Sequence, residues 1–328
     1  MTTATGQVCS REYLDRTDFK LVNDFLTESY LLLGKQHNWS RVQWEILHTI
    51  SLNETRISRN MALERRVRLW ETNQGKVVGM VNFEDREDFF IQIHPQFRFL
   101  ENEMLEWAEE HFAAFLGTDP NNYPLYTYVY GYDVERARTL THRGYQNLCP
   151  VVFNRWRAVD KSFTRQKLAP KYGISGFCSS VENFEKLAQL DLEVFGSAHL
   201  PVRTIRVLRE APSYRPDLDL VVVSPAGLFV AFCLAWFDPA TRTGELITLG
   251  THPDYRRQGL GSKLIAESLI RLGKLGAKVV YVNTAFNSAS NLLYEAMGFD
   301  QYATAYRWSN ELSGRFSLYR QELSGRNN

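Results

Sequence analysis

Gly244-Glu245-Leu246-Ile247-Thr248-Leu249-Gly250-Thr251-His252-Pro253-Asp254-Tyr255-Arg256-Arg257-Gln258-Gly259-Leu260-Gly261 reads as a strand, a turn and the start of a helix. Leu246 to Leu249 is strand-like and His252-Pro253 breaks it. Leu260, Leu264, Ile265, Leu269 and Leu272 then recur at helical spacing until Gly276 supplies a stop. Between the two stands Arg256-Arg257-Gln258-Gly259-Leu260-Gly261, which fits R-x-x-G-x-G. Glycines at a helix start let an anion approach the backbone, where successive N–H groups and the helix N-terminus attract it. The segment is expected to hold a diphosphate. A glycine-containing helix start with no ligand is the competing reading of these letters alone. A dinucleotide-binding fold would need G-x-G-x-x-G after a domain's first strand, and a P-loop would need its Lys and Ser/Thr pair; neither is present.

Working outward, His252-Pro253-Asp254-Tyr255-Arg256 has an earlier counterpart in His94-Pro95-Gln96-Phe97-Arg98. Each phrase follows a strand-like run, Phe89 to Ile93 or Leu246 to Leu249, and precedes a long amphipathic pattern. In the first copy Met104, Ala108, His111 and Phe115 share a helical face. Both copies continue as strand then helix: Leu125 to Tyr130 with Val134 to Arg143, and Val279 to Asn283 with Ser288 to Met297. Gly144-Tyr145 and Gly298-Phe299 close them. Upstream the order also repeats, with strands Arg11 to Leu14, Val67 to Thr72 and Lys76 to Phe83 against Tyr172 to Cys178, Leu220 to Ser224 and Leu228 to Phe237. Helices within Asp18 to Leu33 and Trp39 to Ile50 answer Glu182 to Phe195 and Val202 to Glu210. The expected domains are 1–160 and 171–328, joined by the polar and basic Asp160 to Pro170.

A chain of 328 residues is comfortable for two cores. With 38 Lys plus Arg against 37 Asp plus Glu, nothing draws the whole molecule to a polyanion, so neither nucleic acid nor a membrane surface is an expected partner. Cys9, Cys149, Cys178 and Cys233 stand far apart, which suits reduced thiols and gives no zinc-ligand spacing. Met1 to Ser10 lacks the pattern of a signal peptide, and no apolar run approaches the ~20 residues of a spanning helix. A cytoplasmic protein, monomeric or homodimeric, is expected.

The segment Gly244 to Gly261 resembles the strand, loop and helix start of GNAT acetyltransferases. Asn287-Ser288-Ala289-Ser290-Asn291-Leu292-Leu293-Tyr294-Glu295-Ala296-Met297-Gly298-Phe299 is similar to that family's second signature. The resemblance is specific over about 60 residues towards the end of the chain, and the remaining order of elements agrees more loosely over both halves. It implies an α/β fold of the α+β mixed-sheet kind: two tandem GNAT-like acyl-CoA N-acyltransferase domains, each a mixed, mostly antiparallel sheet flanked by helices. It also implies acetyl-CoA as co-substrate, no metal, and direct acetyl transfer to the primary amine of a small-molecule acceptor. On the same basis Leu249, Gly250 and Thr251 would line the pantetheine arm, and the amides of Arg256, Arg257, Gln258, Gly259, Leu260 and Gly261 the pyrophosphate. Asn287 would lie near the thioester. The family bulges this strand so that a backbone N–H polarises the thioester carbonyl, and Gly250 would permit such a bulge.

Tyr294 takes the family position beside the cofactor thiol, where a phenol can protonate the departing thiolate; packing the helix on the sheet is its alternative role. Glu245 is the candidate general base, with a solvated strand-end carboxylate as the alternative. His252 recurs as His94, which favours a structural role for both. Glu193, Phe195 and Trp236 could face the acceptor. The first copy departs from the pattern, since Glu101 and Glu103 stand where Gly259 and Gly261 do and Leu140 where Tyr294 does, although Glu87 matches Glu245. It is expected to be silent. The tandem arrangement resembles mycothiol synthase-like two-domain acetyltransferases. A non-catalytic acyl-CoA-binding sensor or partner-binding module is the alternative function.

Overall fold

Ser40 and Gln43 open a helix by a reciprocal cap, in which Gln43 N donates to Ser40 Oγ at 3.1 Å and Ser40 N to Gln43 Oε1 at 2.9 Å. Such local signals, with the strand alternation, set out the first half of the sequence. It runs β1 (Val8–Glu12), α1 (Arg16–Leu33), α2 (Arg41–Glu54), α3 (Leu63–Arg66), β2 (Val67–Thr72), β3 (Val77–Phe83), β4 (Phe89–Ile93), α4 (Glu101–Leu116), β5 (Leu125–Tyr130), α5 (Val134–His142) and β6 (Tyr145–Ala158). The second half runs β7 (Gly173–Gly176), α6 (Val181–Phe195), α7 (Val202–Leu208), β8 (Asp219–Val223), β9 (Phe229–Asp238), β10 (Thr243–Thr251), α8 (Leu260–Leu275), β11 (Val279–Ala285), α9 (Ser290–Ala296) and β12 (Gln301–Asn310). The computed structural model describes residues 7–14, 16–54, 62–84, 87–116, 124–159, 172–196 and 200–310. The expected linker, Asp160 to Pro170, lies outside them.

Two compact units cut across the sequence halves 1–160 and 171–328. One gathers Met1–Phe25, Leu63–Val151 and Ala305–Asn328, the other Leu26–Ala62 and Val152–Thr304. In the first unit β1, β2, β3 and β4 pair antiparallel in that order. β5 meets the residue before β4 through one parallel bridge, Asp88 to Tyr126, and pairs antiparallel with β12 from Ala305↔Tyr130 to Asn310↔Leu125. In the second unit the order is β7-β8-β9-β10-β11-β6. Only β10 and β11 are parallel, and β6 pairs antiparallel with β11 from Val279↔Ala158 to Ala285↔Val152. Each copy's last strand thus completes the sheet of the unit built mainly from the other copy. The β1–β4 sheet is antiparallel throughout, with its one parallel bridge to β5, whereas the second unit's sheet is mixed and mostly antiparallel, and both are flanked by helices, in keeping with the α+β kind the resemblance implied.

Alternation along β9 distributes the second unit's core. Cys233 and Ala235 face α8, where they join Leu246, Leu264, Ile265, Leu269 and Leu272. On the opposite face Phe232 packs with Phe184 and Leu187 of α6 and Ile205 of α7. Leu234 and Trp236 pack on that same face with Val42 and Ile46 of α2. The sheet is therefore covered on one side by α8 and on the other by α2, α6 and α7. In the first unit Met104, Leu105 and Ala108 of α4 pack on Val78, Val81, Phe89 and Ile91. Among the described residues no helix is long and apolar enough to cross a membrane.

Candidate active site

β10 and β11 run side by side only from Thr243↔Val279 to Leu246↔Val282, although β10 continues to Thr251 and β11 to Ala285. Beyond Leu246 and Val282 the strands part, and the edge of Ile247 to Thr251 that faced β11 has no β11 partner. At the same point the pairing of β10 with β9 slips, from Leu246↔Ala235 to Thr248↔Leu234. The strand is thus bulged at Ile247, three residues before the glycine that would permit a bulge. One extra residue reverses the facing of everything after it. Leu249 consequently joins the α8 side, and Gly250 turns to the opposite face. A Cβ on Gly250 would lie 2.4 Å from the Phe232 ring and 3.1 Å from Val194, so glycine is required there by close packing.

Leaving β10, the chain makes a 3-10 turn over Pro253–Tyr255, which His252 caps by accepting from Asp254 N at 3.1 Å. Arg257 (φ 62°) and Gly259 (φ 74°) are both left-handed, and Gly259 is the N-cap of α8 with no side chain capping the first turn. The leading N–H groups of a helix have no intrahelical acceptor, so this start presents donors together with the positive end of the helix dipole. A non-glycine residue in this conformation costs roughly 1–2 kcal/mol. Burial of Leu264, Ile265, Leu269 and Leu272 contributes roughly 6–12 kcal/mol before entropy, enough to hold the strained loop in place. Gly261 serves differently from Gly259, since a Cβ there would meet Leu293 of α9 at 3.2 Å and Thr251 at 3.8 Å. The Arg256 Nε bonds Thr251 O at 3.2 Å, and the Gln258 side chain accepts from the Tyr172 hydroxyl at 2.7 Å. What this loop offers an anion is therefore its backbone and the exposed Arg257.

Glu245 stands two residues before the bulge, on the face covered by α2. It is buried, and Gln36 Nε2 donates to its Oε1 at 3.2 Å. Burial pushes its carboxyl up to about 7, with Asp238 adding in the same direction and bonds from Ser40 and Gln36 opposing. A solvated strand-end carboxylate is thereby excluded. Tyr281, its register partner on β11, lies with its hydroxyl 3.2 Å from that of Tyr30 on α1.

Tyr294 is buried on the other side of the sheet, among the α8 core, with Phe299 edge-on at 5.7 Å. Burial raises its phenol, with the nearby Cys233 adding, so it stays protonated at neutral pH. Asn287 is exposed in the turn after β11. That turn is organised by Asn291, whose Nδ2 donates to the carbonyls of Ala285, Phe286 and Ser288 at 3.0–3.1 Å. Asn291 Oδ1 in turn accepts from Arg155 Nε at 3.0 Å and Thr284 Oγ1 at 2.7 Å. Arg155, on β6, also reaches Phe299 O and Glu295. Sequence reasoning missed both Asn291 and Arg155, although an asparagine inside the second signature was a visible signal for the former. Glu193 is occupied with His252 at 3.0 Å, Phe195 is edge-on to Phe232, and Trp236 is buried with its indole N–H on Ser213. Of these three, Trp236 is the register partner of Glu245 on β9, whereas Glu193 and Phe195 belong to α6. Among the described residues no cluster of His, Cys, Asp or Glu suits a metal ion.

The first unit's counterpart is built otherwise. Pro95–Leu100 coils as a 3-10 turn straight into α4, and Glu101 (φ −61°, ψ −35°) is already helical. No left-handed residue intervenes. The carboxylate of Glu101 binds Arg136 and, at 2.8 Å, Arg98, while Glu103 accepts from Trp70 Nε1 at 2.8 Å. The helix start that offers donors in the second unit is closed here by the chain's own acids. His94 repeats the His252 cap, its ring accepting from Gln96 N at 3.2 Å, and Leu140 is core.

Residues 184–299 match the model of the Acetyltransferase (GNAT) family. Over 71 residues the chain is 32% identical to the ribosomal protein bS18-alanine N-acetyltransferase of Escherichia coli (strain K12), which is 21% of this chain and 48% of that protein. It spans about half the length of the curated relatives it matches. A GCN5-related N-acetyltransferase from Sphaerobacter thermophilus superposes with a TM-score of 0.64 at 15% identity, over 92% of this chain and 95% of that one. A tandem GNAT protein from the clavulanic acid biosynthesis pathway gives 0.66 at 12% identity, over 94% and 99%. The Saccharomyces cerevisiae N-myristoyltransferase solved with bound myristoyl-CoA gives 0.56 at 11%, over 92% and 78%. At such identities the likeness to these structures is one of fold.

Proposed function

We propose that the second unit, whose residues 184–299 match the GNAT family model in a chain that shares its fold with a tandem GNAT protein, transfers an acetyl group from acetyl-CoA to a primary amine. The observation that carries this reading is the uncapped start of α8, with left-handed Arg257 and Gly259, beside the parting of β10 and β11. These features fit an acyl-CoA: donors for a diphosphate at one end and an open strand edge for an amide-bearing arm along Leu249, Gly250 and Thr251. When bound, acetyl-CoA supplies an activated carbonyl on a thiol leaving group. Glu245 would accept the proton of the attacking amine, and burial already sets its carboxyl near the pH at which such a base works. Backbone N–H groups at the Ile247 bulge would steady the oxyanion, and Tyr294 would return a proton to the thiolate. Asn287 would lie along the arm near the thioester.

Acetyl is the unit named for the Escherichia coli relative, and longer acyl-CoAs serve as competitors in the test. A small-molecule amine is the favoured acceptor, with peptides bearing N-terminal alanine as the comparison, because that relative is named for alanine of a ribosomal protein. A second reading, acyl-CoA binding without transfer, draws on the burial of both Glu245 and Tyr294. Thiol release from acetyl-CoA with an amine and peptide panel separates the two, since a sensor binds CoA and releases none. Gly259→Glu, which copies Glu101, is expected to abolish CoA binding in calorimetric titration while the protein stays folded. Unchanged affinity would remove the diphosphate assignment.

A further inference from the structure

Four polar side chains on the α2 face of the second unit form a line in which Asn154 donates both ways. Asn154 on β6 and Asn283 on β11 are register partners, and Asn154 Nδ2 donates to Asn283 Oδ1 at 2.9 Å. Asn283 is the first residue of β11 past the last pair with β10, so it marks the mouth of the gap. Asn154 Nδ2 also donates to Gln36 Oε1 at 2.7 Å, and Gln36 Nε2 donates to Glu245 Oε1. Asn154, Gln36 and Glu245 are all buried. An ionised carboxylate only accepts hydrogen bonds, so Gln36 must turn its NH₂ to Glu245 and its oxygen to Asn154. From Asn154 through Gln36 the donors therefore all point towards Glu245. The Gln36 backbone is held as well, by the Tyr281 hydroxyl.

We propose that Gln36, oriented by Asn154, is a positioning residue for the Glu245 carboxylate, so that the connection between α1 and α2 shapes the acceptor side of the second unit. This rests on the reading of Glu245 as base. A buried amide held at both ends fixes the rotamer of the carboxylate it touches and favours its ionised form. Other groups also face Glu245. Asp238 at the end of β9 repels the charge and is paired with Arg41 of α2 at 2.7 Å. Tyr281 and Tyr30 point their hydroxyls at one another. Ser40 also caps α2.

The titration that tests this needs no acceptor. Glutamate labelled with ¹³C at the carboxyl is followed by NMR through pH, and the Glu245→Gln spectrum identifies the signal. Gln36→Met, which keeps length and volume, is expected to raise the Glu245 midpoint by about one unit, and Asn154→Leu by less in the same direction. Should Gln36→Met not fold, Asn154→Leu carries the measurement. If folded variants have lower Tm but a midpoint within about 0.3 unit of the parent, Gln36 is structural and the proposal is overturned. Full thiol release by Glu245→Gln, with the acceptor found in the panel, would instead overturn the base reading and leave Gln36 no catalytic part to position.

Discussion

Glu245 couples folding to pH in a definite direction. Its carboxyl is pushed up to about 7 by burial, against an unfolded value near 4.3, so the native state retains a proton the unfolded chain has lost. The stability this brings is complete below the unfolded value and is lost as pH rises through the native one. Glu245→Gln never ionises, so its advantage over the parent in urea unfolding is expected to grow by about 3 kcal/mol between pH 4 and pH 8. An advantage that is the same at both ends would mean the carboxyl is not desolvated. Tyr294→Phe keeps the packing against Phe299 and removes only the hydroxyl. Because a thiolate already leaves readily and burial makes this phenol a weaker acid, the expected loss is about a hundredfold in kcat, with acetyl-CoA affinity unchanged. A kcat within about threefold, measured where chemistry limits turnover, would return Tyr294 to a packing role.

At the scale of elements, the swapped strand carries a consequence for α9. Arg155 is 2% exposed and ties together Asn291, Phe299 O and Glu295, so it holds the turn after β11 and the helix bearing Tyr294. The Glu295 arm is half exposed and contributes little, whereas the buried bonds to Asn291 and Phe299 should matter. Arg155→Met is expected to cost about 2 kcal/mol and to weaken CoA binding several-fold, read by thermal unfolding and titration. Loss of stability with affinity intact would confine Arg155 to the core. The elements themselves were largely legible: β2 and β5 have the bounds read from sequence, because their apolar alternation is local. The helix start was also legible near Gly261, through R-x-x-G-x-G and the leucine spacing that follows, and it falls at Leu260. The site of the bulge was not, since Ile247 is an ordinary strand residue and only pairing with β9 creates the slip. Nor was the sealing of Glu245, whose partners Gln36 and Ser40 lie far away in the chain and carry no local sign of it.

For the whole molecule, the exchange of last strands decides what can be cut away. A fragment of residues 171–328 lacks β6, and with Leu26–Ala62 it loses α2, which covers Leu234 and Trp236. It is expected to aggregate or remain unfolded, judged by circular dichroism and gel filtration; a monomeric, cooperatively melting fragment that binds CoA would show those parts to be dispensable. The repeat made two units legible, but not which strand closes which sheet, because the pairings of β6 with β11 and of β12 with β5 join segments far apart in the chain. The exchange also bears on how a ribosome delivers this chain. β6 is already synthesised when β11 emerges, so the second unit can close its sheet at once. β5 waits for residues 305–310, its edge unpaired on that side while everything between is made. The unit begun first is therefore the one finished last, and its waiting edge is where a nascent chain of this protein is most exposed to mispairing and most in need of a chaperone.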